Sequence, residues 1–322
     1  MANWFSPVDW RAAAVCSPAI PVILVIGLAI GQFPQSIIAA GSAMSVGFGA
    51  NRQIQHQRFV SMILVTTLMS FATLAGSLIA SHDRVYLVVC AVASGIVAIS
   101  SFKDQTLWWI LAQALVAYML SGSYPSDFEG ASTRAALAAI GGLCQISSVA
   151  LLTTFFPSLS ETIPPQPPQP VQSRAFVYLS VLRVALGVPL ALVLARFVEP
   201  SNSYWAPMTA LFVLKPNFSD TLGRSVARLA GTFAGCLFAS PLAILAGNRP
   251  SVMIPAVGLA AAVAIALQRA HYAAMTFGIT CVIVLMLDMA QGNPEANAAH
   301  RLLATVVGGV VALILSFIGQ RK

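Results

Sequence analysis

Twelve apolar runs, each ended by a polar or proline break, occupy nearly the whole chain. They lie near 12–31, 35–50, 59–80, 84–101, 105–121 and 133–156, then 175–198, 204–216, 226–247, 251–268, 271–290 and 298–319. A helix needs roughly 20 apolar residues to cross a bilayer, so most of these runs are long enough to span. With 58% hydrophobic and 8% charged residues in 322, the chain lacks the polar material to coat a water-soluble globule. These figures exclude a water-facing enzyme and, despite the net charge of +7, a nucleic-acid-binding domain. An outer-membrane barrel is excluded as well, since its strands would alternate polar and apolar residues. The expected fold is all-α: a polytopic transmembrane helical bundle of about 12 spans. The second and eighth runs are short and are expected to be tilted, broken or re-entrant, which hydrocarbon tolerates only where the backbone is buried in protein or lines a cavity. The first run follows only ten residues and has no small-residue cleavage site, so it is expected to be retained.

The midpoint is marked by Pro164-Pro165-Gln166-Pro167-Pro168-Gln169-Pro170, which cannot be helical because proline lacks the amide donor. It reads as a polyproline spacer over 157–174 between two six-span membrane repeats, 1–156 and 175–322. Arg134 with Gly141-Gly142 recurs as Arg301 with Gly308-Gly309, both at an offset of 167 residues. Arg11 with Pro18 is echoed by Arg183 with Pro189, and Asn51 with Arg58 by Asn217 with Arg228 after a four-residue insertion. Six spans per half make the repeats parallel, related by an axis along the membrane normal.

Cytoplasmic loops retain the lysines and arginines. With the N-terminus inside, the inner side carries eleven basic and four acidic residues and the outer side five of each, so the whole excess charge lies inside. Both termini are therefore expected in the cytoplasm. Arg183 and Asp288 fall within the apolar runs and escape this sorting.

A search for catalytic constellations finds none. The four histidines are scattered, Ala43-Met44-Ser45-Val46-Gly47 only half matches a nucleophile elbow, and no phosphate-cradling glycine loop is present. The five cysteines stand singly in apolar stretches without ligand spacing, so neither disulfide nor metal is expected. The chain is expected to be no enzyme and to need no cofactor.

Intramembrane charge is costly enough to mark functional positions. Arg183 offers a carboxylate its guanidinium fork, or snorkels to the inner interface. Asp288 is a proton-coupling candidate or an interfacial acid. Lys215, Arg224 and Arg228 in the second half, with Arg52 and Arg58 in the first, make two basic inner loops that either steer carboxylates or reflect the positive-inside bias alone. Asn217 and Asn51 beside these loops donate to a carboxylate or cap helices. Trp108 and Trp109 read as interfacial anchors, Gly27 with Gly31 and Gly231 with Gly235 as close-packing devices, and Pro18, Pro189 and Pro207 as kinks.

One stretch is more specific. Tyr204-Trp205-Ala206, then Leu214-Lys215-Pro216-Asn217-Phe218, Thr221-Leu222-Gly223-Arg224 and Arg228-Leu229-Ala230-Gly231-Thr232 resemble the fusaric acid resistance family. Its pattern is a Tyr-Trp-Ala opening, a span ending in Pro-x-Phe, an arginine-bearing loop and an Arg-x-x-Gly-Thr helix start. The motif covers residues 203–232, and the six-plus-six layout extends the likeness loosely over the chain. The resemblance implies an inner-membrane exporter of aromatic carboxylic acids, often paired with a periplasmic adaptor, and a distant kinship to plant anion channels of the malate type. It raises Tyr204 and Trp205 as residues lining a pathway that stacks aromatic rings, with Phe218 as a gate candidate. The chain is expected to depart from many members in carrying no large cytoplasmic domain after each half. The alternatives are an anion channel and a non-transporting scaffold subunit of an efflux or envelope assembly. The expected partners are small aromatic or organic carboxylates, the lipid bilayer, an adaptor and a second copy of the chain, but not nucleic acid.

Overall fold

The computed structural model describes residues 8–50, 52, 54, 57–159, 172–198, 202–247 and 249–318. Asn51, His56 and the proline-rich stretch over 160–171 lie outside the described residues. Every apolar run is helical: α1 (Trp10–Cys16), α2 (Ala19–Ala29), α3 (Phe33–Gly47), α4 (Arg58–Ile79), α5 (Asp83–Ser101), α6 (Gln105–Ser121), α7 (Phe128–Phe155), α8 (Arg174–Val198), α9 (Trp205–Val213), α10 (Phe218–Ala246), α11 (Pro250–Leu267), α12 (Tyr272–Gln291) and α13 (Pro294–Phe317). Among the described residues there is no strand, only an isolated bridge between Ile54 and Gln57.

Among the described residues nine of these segments, with α1 and α2 counted as one, are long and apolar enough to cross a membrane. α3, α6 and α9 are the short ones. The first run is divided at Ser17 and Pro18, where proline has no N–H to give the preceding turn. Pro189 lies inside an unbroken α8, whereas Pro207 falls in the first turn of α9, where a missing N–H leaves nothing unpaired and no kink follows. α10 begins eight residues before the apolar run that marks it, so Arg224 and Arg228 are helical rather than loop residues. Hydropathy records where a helix enters hydrocarbon, not where it starts.

The residues divide into two compact units. The first comprises Met1–Thr67, Ala136–Pro165 and Ala230–Ala299, and the second Leu68–Ala135, Gln166–Leu229 and His300–Lys322. In the first unit α11 packs against α1, α2 and α12, and α2 packs against α3. Its core is small and aliphatic, with Leu24, Ala40, Ala43, Val257, Ala261, Ala264 and Val284 shut off from the surface. In the second unit α5 packs against α6 and α8, and α8 against α9. Here the core carries larger rings, including Tyr86 stacked on Tyr118 with centroids 4.9 Å apart. Leu182, Leu186, Leu190 and Leu194 of α8 are exposed at a spacing of four, as a lipid-facing stripe requires.

Helices without a hydrophobic drive between them associate by close backbone approach. A Cβ at Gly141 of α7 would overlap the carbonyl of Ala39 in α3, and a Cβ at Gly308 of α13 would overlap that of Ala206 in α9. Gly41, by contrast, faces open space. Gly141→Ala and Gly308→Ala are therefore expected to destabilise the protein by about 1–3 kcal/mol, whereas Gly41→Ala gains up to about 1 kcal/mol of helix propensity. Thermal unfolding of the purified variants in detergent measures both.

Candidate functional site

The site is organised by the end of α9. Pro216 restricts Lys215 to extended conformations, and Leu214 has already left the helix with ψ 118°. The chain crosses Lys215 and Pro216 outside any helix, and Asn217 O takes the Thr221 amide at 3.1 Å as the helix resumes at Phe218. Thr221 closes this break locally: its hydroxyl accepts the Lys215 N–H at 3.0 Å and lies within donating distance of the carbonyls of Lys215, 3.1 Å, and Asn217, 2.9 Å.

The Pro216 carbonyl finds its donor elsewhere. Arg183, buried on α8, donates from Nη1 to Pro216 O at 3.0 Å and from Nη2 to Ile318 O at 2.6 Å. Ile318 follows the last turn of α13, where the helix dipole presents its negative end. Arg183 thus joins three elements of its unit by holding two otherwise unsupplied carbonyls, and both its terminal nitrogens serve the backbone. Arg183→Met, which removes these donors, is expected to cost about 1–3 kcal/mol, read as a lowered unfolding temperature.

Lys215 projects into an aromatic setting. Its Nζ lies 5.3 Å from the centroid of Trp108 on α6, and Trp108 meets Phe212 of α9 edge to face at 6.3 Å. A cation over an indole face is favoured by the ring quadrupole. Trp108 is thereby a partner of Lys215, and Trp109 is buried in the protein. Burial, and after it the Arg224 charge, push the Lys215 ammonium down to about 7, while Asp220 pulls the other way. The folded protein releases this proton near neutrality and the unfolded chain only near 10.5. Between those values the unfolded chain binds more protons, so stability rises with pH. Unfolding temperature is expected to climb from pH 7 towards pH 10, and Lys215→Met should flatten the climb.

The remaining candidates sit at separate places. Asn217 donates to Asp220 Oδ2 at 3.3 Å, and Phe218 packs edge to face on Phe317 at 6.0 Å. Arg224 is half-buried and Arg228 buried on α10. Tyr204 is the N-cap residue of α9 and Trp205 its first residue, about 14 Å along the helix from the Lys215 end. Arg58, the first residue of α4, and Asp288, buried in α12, belong to the first unit. Asp288 Oδ1 has no hydrogen-bond partner among the described residues.

Sequence reasoning missed a second cluster, at the Trp205 end. The Arg301 guanidinium lies 3.8 Å from the Trp205 centroid, and Arg301 is 2% exposed. Beside it, Tyr204 Oη donates to Asn202 Oδ1 at 3.2 Å and Asn202 Nδ2 meets His300 Nδ1 at 3.1 Å. The loop charge count assigned Arg301 to the outer surface. Its recurrence at the offset of Arg134 was the signal that marked it.

The helices, the broken segment and the buried basic side chains define a multi-pass integral membrane protein. Residues 190–315 match the family model described as fusaric acid resistance protein-like, so this region of the chain is similar to that family. An uncharacterized protein of Synechocystis sp. is 35% identical over 137 residues, 42% of this chain and 18% of its own length. An uncharacterized protein of Neisseria gonorrhoeae is 27% identical over 165 residues, 51% of this chain and 38% of its own. The Escherichia coli inner membrane protein YccS is 23% identical over 136 residues, 42% of this chain and 19% of its own. The matches thus span well under half the length of these relatives. No solved structure matches the chain at a significant level.

Proposed function

We propose that the protein carries small organic carboxylates, aromatic acids foremost, out of the cytoplasm across the inner membrane, without a catalytic step or a bound cofactor. The observation that carries this reading is the break after α9, where the Lys215 ammonium lies against Trp108, which itself packs on Phe212, with Arg224 close enough to shift its charge state. A cation beside ring faces is the combination that an aromatic acid requires, since the carboxylate needs the charge and the ring needs the stack. The family match over 190–315 encloses this segment. YccS, a relative, is described as an inner membrane protein. The basic excess on one side supports cytoplasmic termini. A monoanion leaving a cell that is negative inside gains about 2.3 kcal/mol per 100 mV, so outward flow needs no second energy source.

The same reading arranges the twelve helical segments as two six-membered repeats. In each half the first element packs on the second, α2 on α3 and α8 on α9. The fourth element of each half packs on the first of the other, α5 on α8 and α11 on α1 and α2. The glycine approaches recur at one spacing, because Gly141 over Ala39 and Gly308 over Ala206 both shift by 167 residues. A periplasmic adaptor and a second copy of the chain are the protein partners this reading admits.

Proteoliposomes test it. Benzoate flux driven by a membrane potential is expected to saturate and to fall about ten-fold in Lys215→Ala, the equivalent of about 1.4 kcal/mol. Flux no greater than in protein-free vesicles, across a panel of aromatic acids, would leave the scaffold reading in its place.

A further inference from the structure

We propose that Arg228 and Ser225, three residues apart on the buried face of α10, form the seat of a single carboxylate. This deepens the transport reading above and takes the chemical class of the ligand from it. Thr221, Ser225 and Arg228 recur at spacings of four and three, which places them on one face of a helix. All three are buried, at 0%, 8% and 6% exposure. Thr221 is committed to the break at Lys215. The other two are not committed.

Ser225 Oγ has no hydrogen-bond partner among the described residues. Several buried hydroxyls bond the carbonyl four residues back, as Ser94 does to Cys90 O, Ser180 to Phe176 O, Thr276 to Tyr272 O and Thr305 to Arg301 O, whereas Ser225, like Thr232 further along α10 and Thr280 of α12, does not. Ser225 keeps its donor free. Gly309 of α13 lies opposite, where a Cβ would stand 4.0 Å from the Ser225 Cβ without clashing.

Arg228 Nε likewise has no partner among the described residues. A buried positive charge left without a counter-ion is unfavourable. No described acid of this unit is a buried counter-ion. Asp83 pairs with Arg196, Asp104 accepts from the Leu107 amide and Asp127 from that of Gly130, while Glu129 and Asp220 are exposed as well. Arg228 also stands about 15 Å along the axis from the Phe218 end of α10, well beyond the first turn. Arg224, four residues earlier and half-buried, adds a like charge on the same side. A carboxylate answers all three features. Its two oxygens take the guanidinium fork, the Ser225 hydroxyl supplies a further donor, and one negative charge offsets the buried positive one.

Equilibrium binding to the purified full-length protein in nanodiscs tests this, with benzoate as probe and benzamide as its neutral counterpart. The wild type should bind benzoate saturably and at least about ten-fold more tightly than benzamide. Arg228→Gln should weaken benzoate by about ten- to hundred-fold and abolish the discrimination, Arg228→Lys should restore part of it, and Ser225→Ala should weaken binding by about three-fold. Ser225→Asp, which tethers a carboxylate in the seat, should abolish benzoate binding and raise the unfolding temperature. That variant decides the matter if Arg228→Gln fails to fold. Unchanged benzoate binding in folded Arg228→Gln, or a lowered unfolding temperature with retained binding in Ser225→Asp, overturns the proposal. Vesicle flux separates the two readings: binding lost in Arg228→Gln by a protein that carries no acid upholds the seat and refutes transport. Flux and binding that persist unchanged in Arg228→Gln do the reverse.

Discussion

A carbonyl or amide covered by protein has no water to bond, so a departure from a helix there must be supplied by the protein itself. The break between α9 and α10 is the place where this constraint shapes the chain. It ends a helix after nine residues and leaves Pro216 outside any helical ladder. Arg183 supplies the missing donor and spends its second terminal nitrogen on the end of α13. An arginine within an apolar run thus clamps the irregular backbone in place.

Once that clamp is in place, the neighbouring charges become available for other work. The irregular segment carries Lys215 under Trp108 rather than out into solvent, and burial there brings its ammonium close to losing its proton at neutral pH. Re-entry at Phe218 then starts α10 early and turns Arg224 and Arg228 into helical residues. A helical arginine ten residues in points where its face points. Its side chain is buried for that reason, whereas in a loop it would have been free to reach water.

Small residues carry the complementary part of the architecture. Bulky aliphatic side chains line the lipid-exposed stripe of α8, while alanines dominate the core of the first unit. This inversion of the soluble pattern follows from the solvent, because leucine is as comfortable in lipid as in protein and only close approach distinguishes the two. Each unit draws on both sides of the proline-rich stretch, since α1 to α3 share a unit with α11 and α12, and α5 and α6 share one with α8 and α9. The chain order along the sequence is therefore not the packing order.

The sequence alone determined the class of fold and the positions of the helical segments, because hydropathy is a local property and each apolar run must satisfy its own backbone. The short second and eighth segments and the repeated arginine and glycine pairs were legible for the same reason. Partners were not. Arg183 meets Ile318 across 135 residues of chain, Lys215 meets a tryptophan from another helix, and Arg301 lies buried on Trp205 although its local context reads as a loop charge. Whether a hydroxyl such as that of Ser225 is spent or spare depends on which face of α10 is covered. Only tertiary packing decides that, since burial and hydrogen-bond satisfaction belong to pairs of elements and not to the residues of either one.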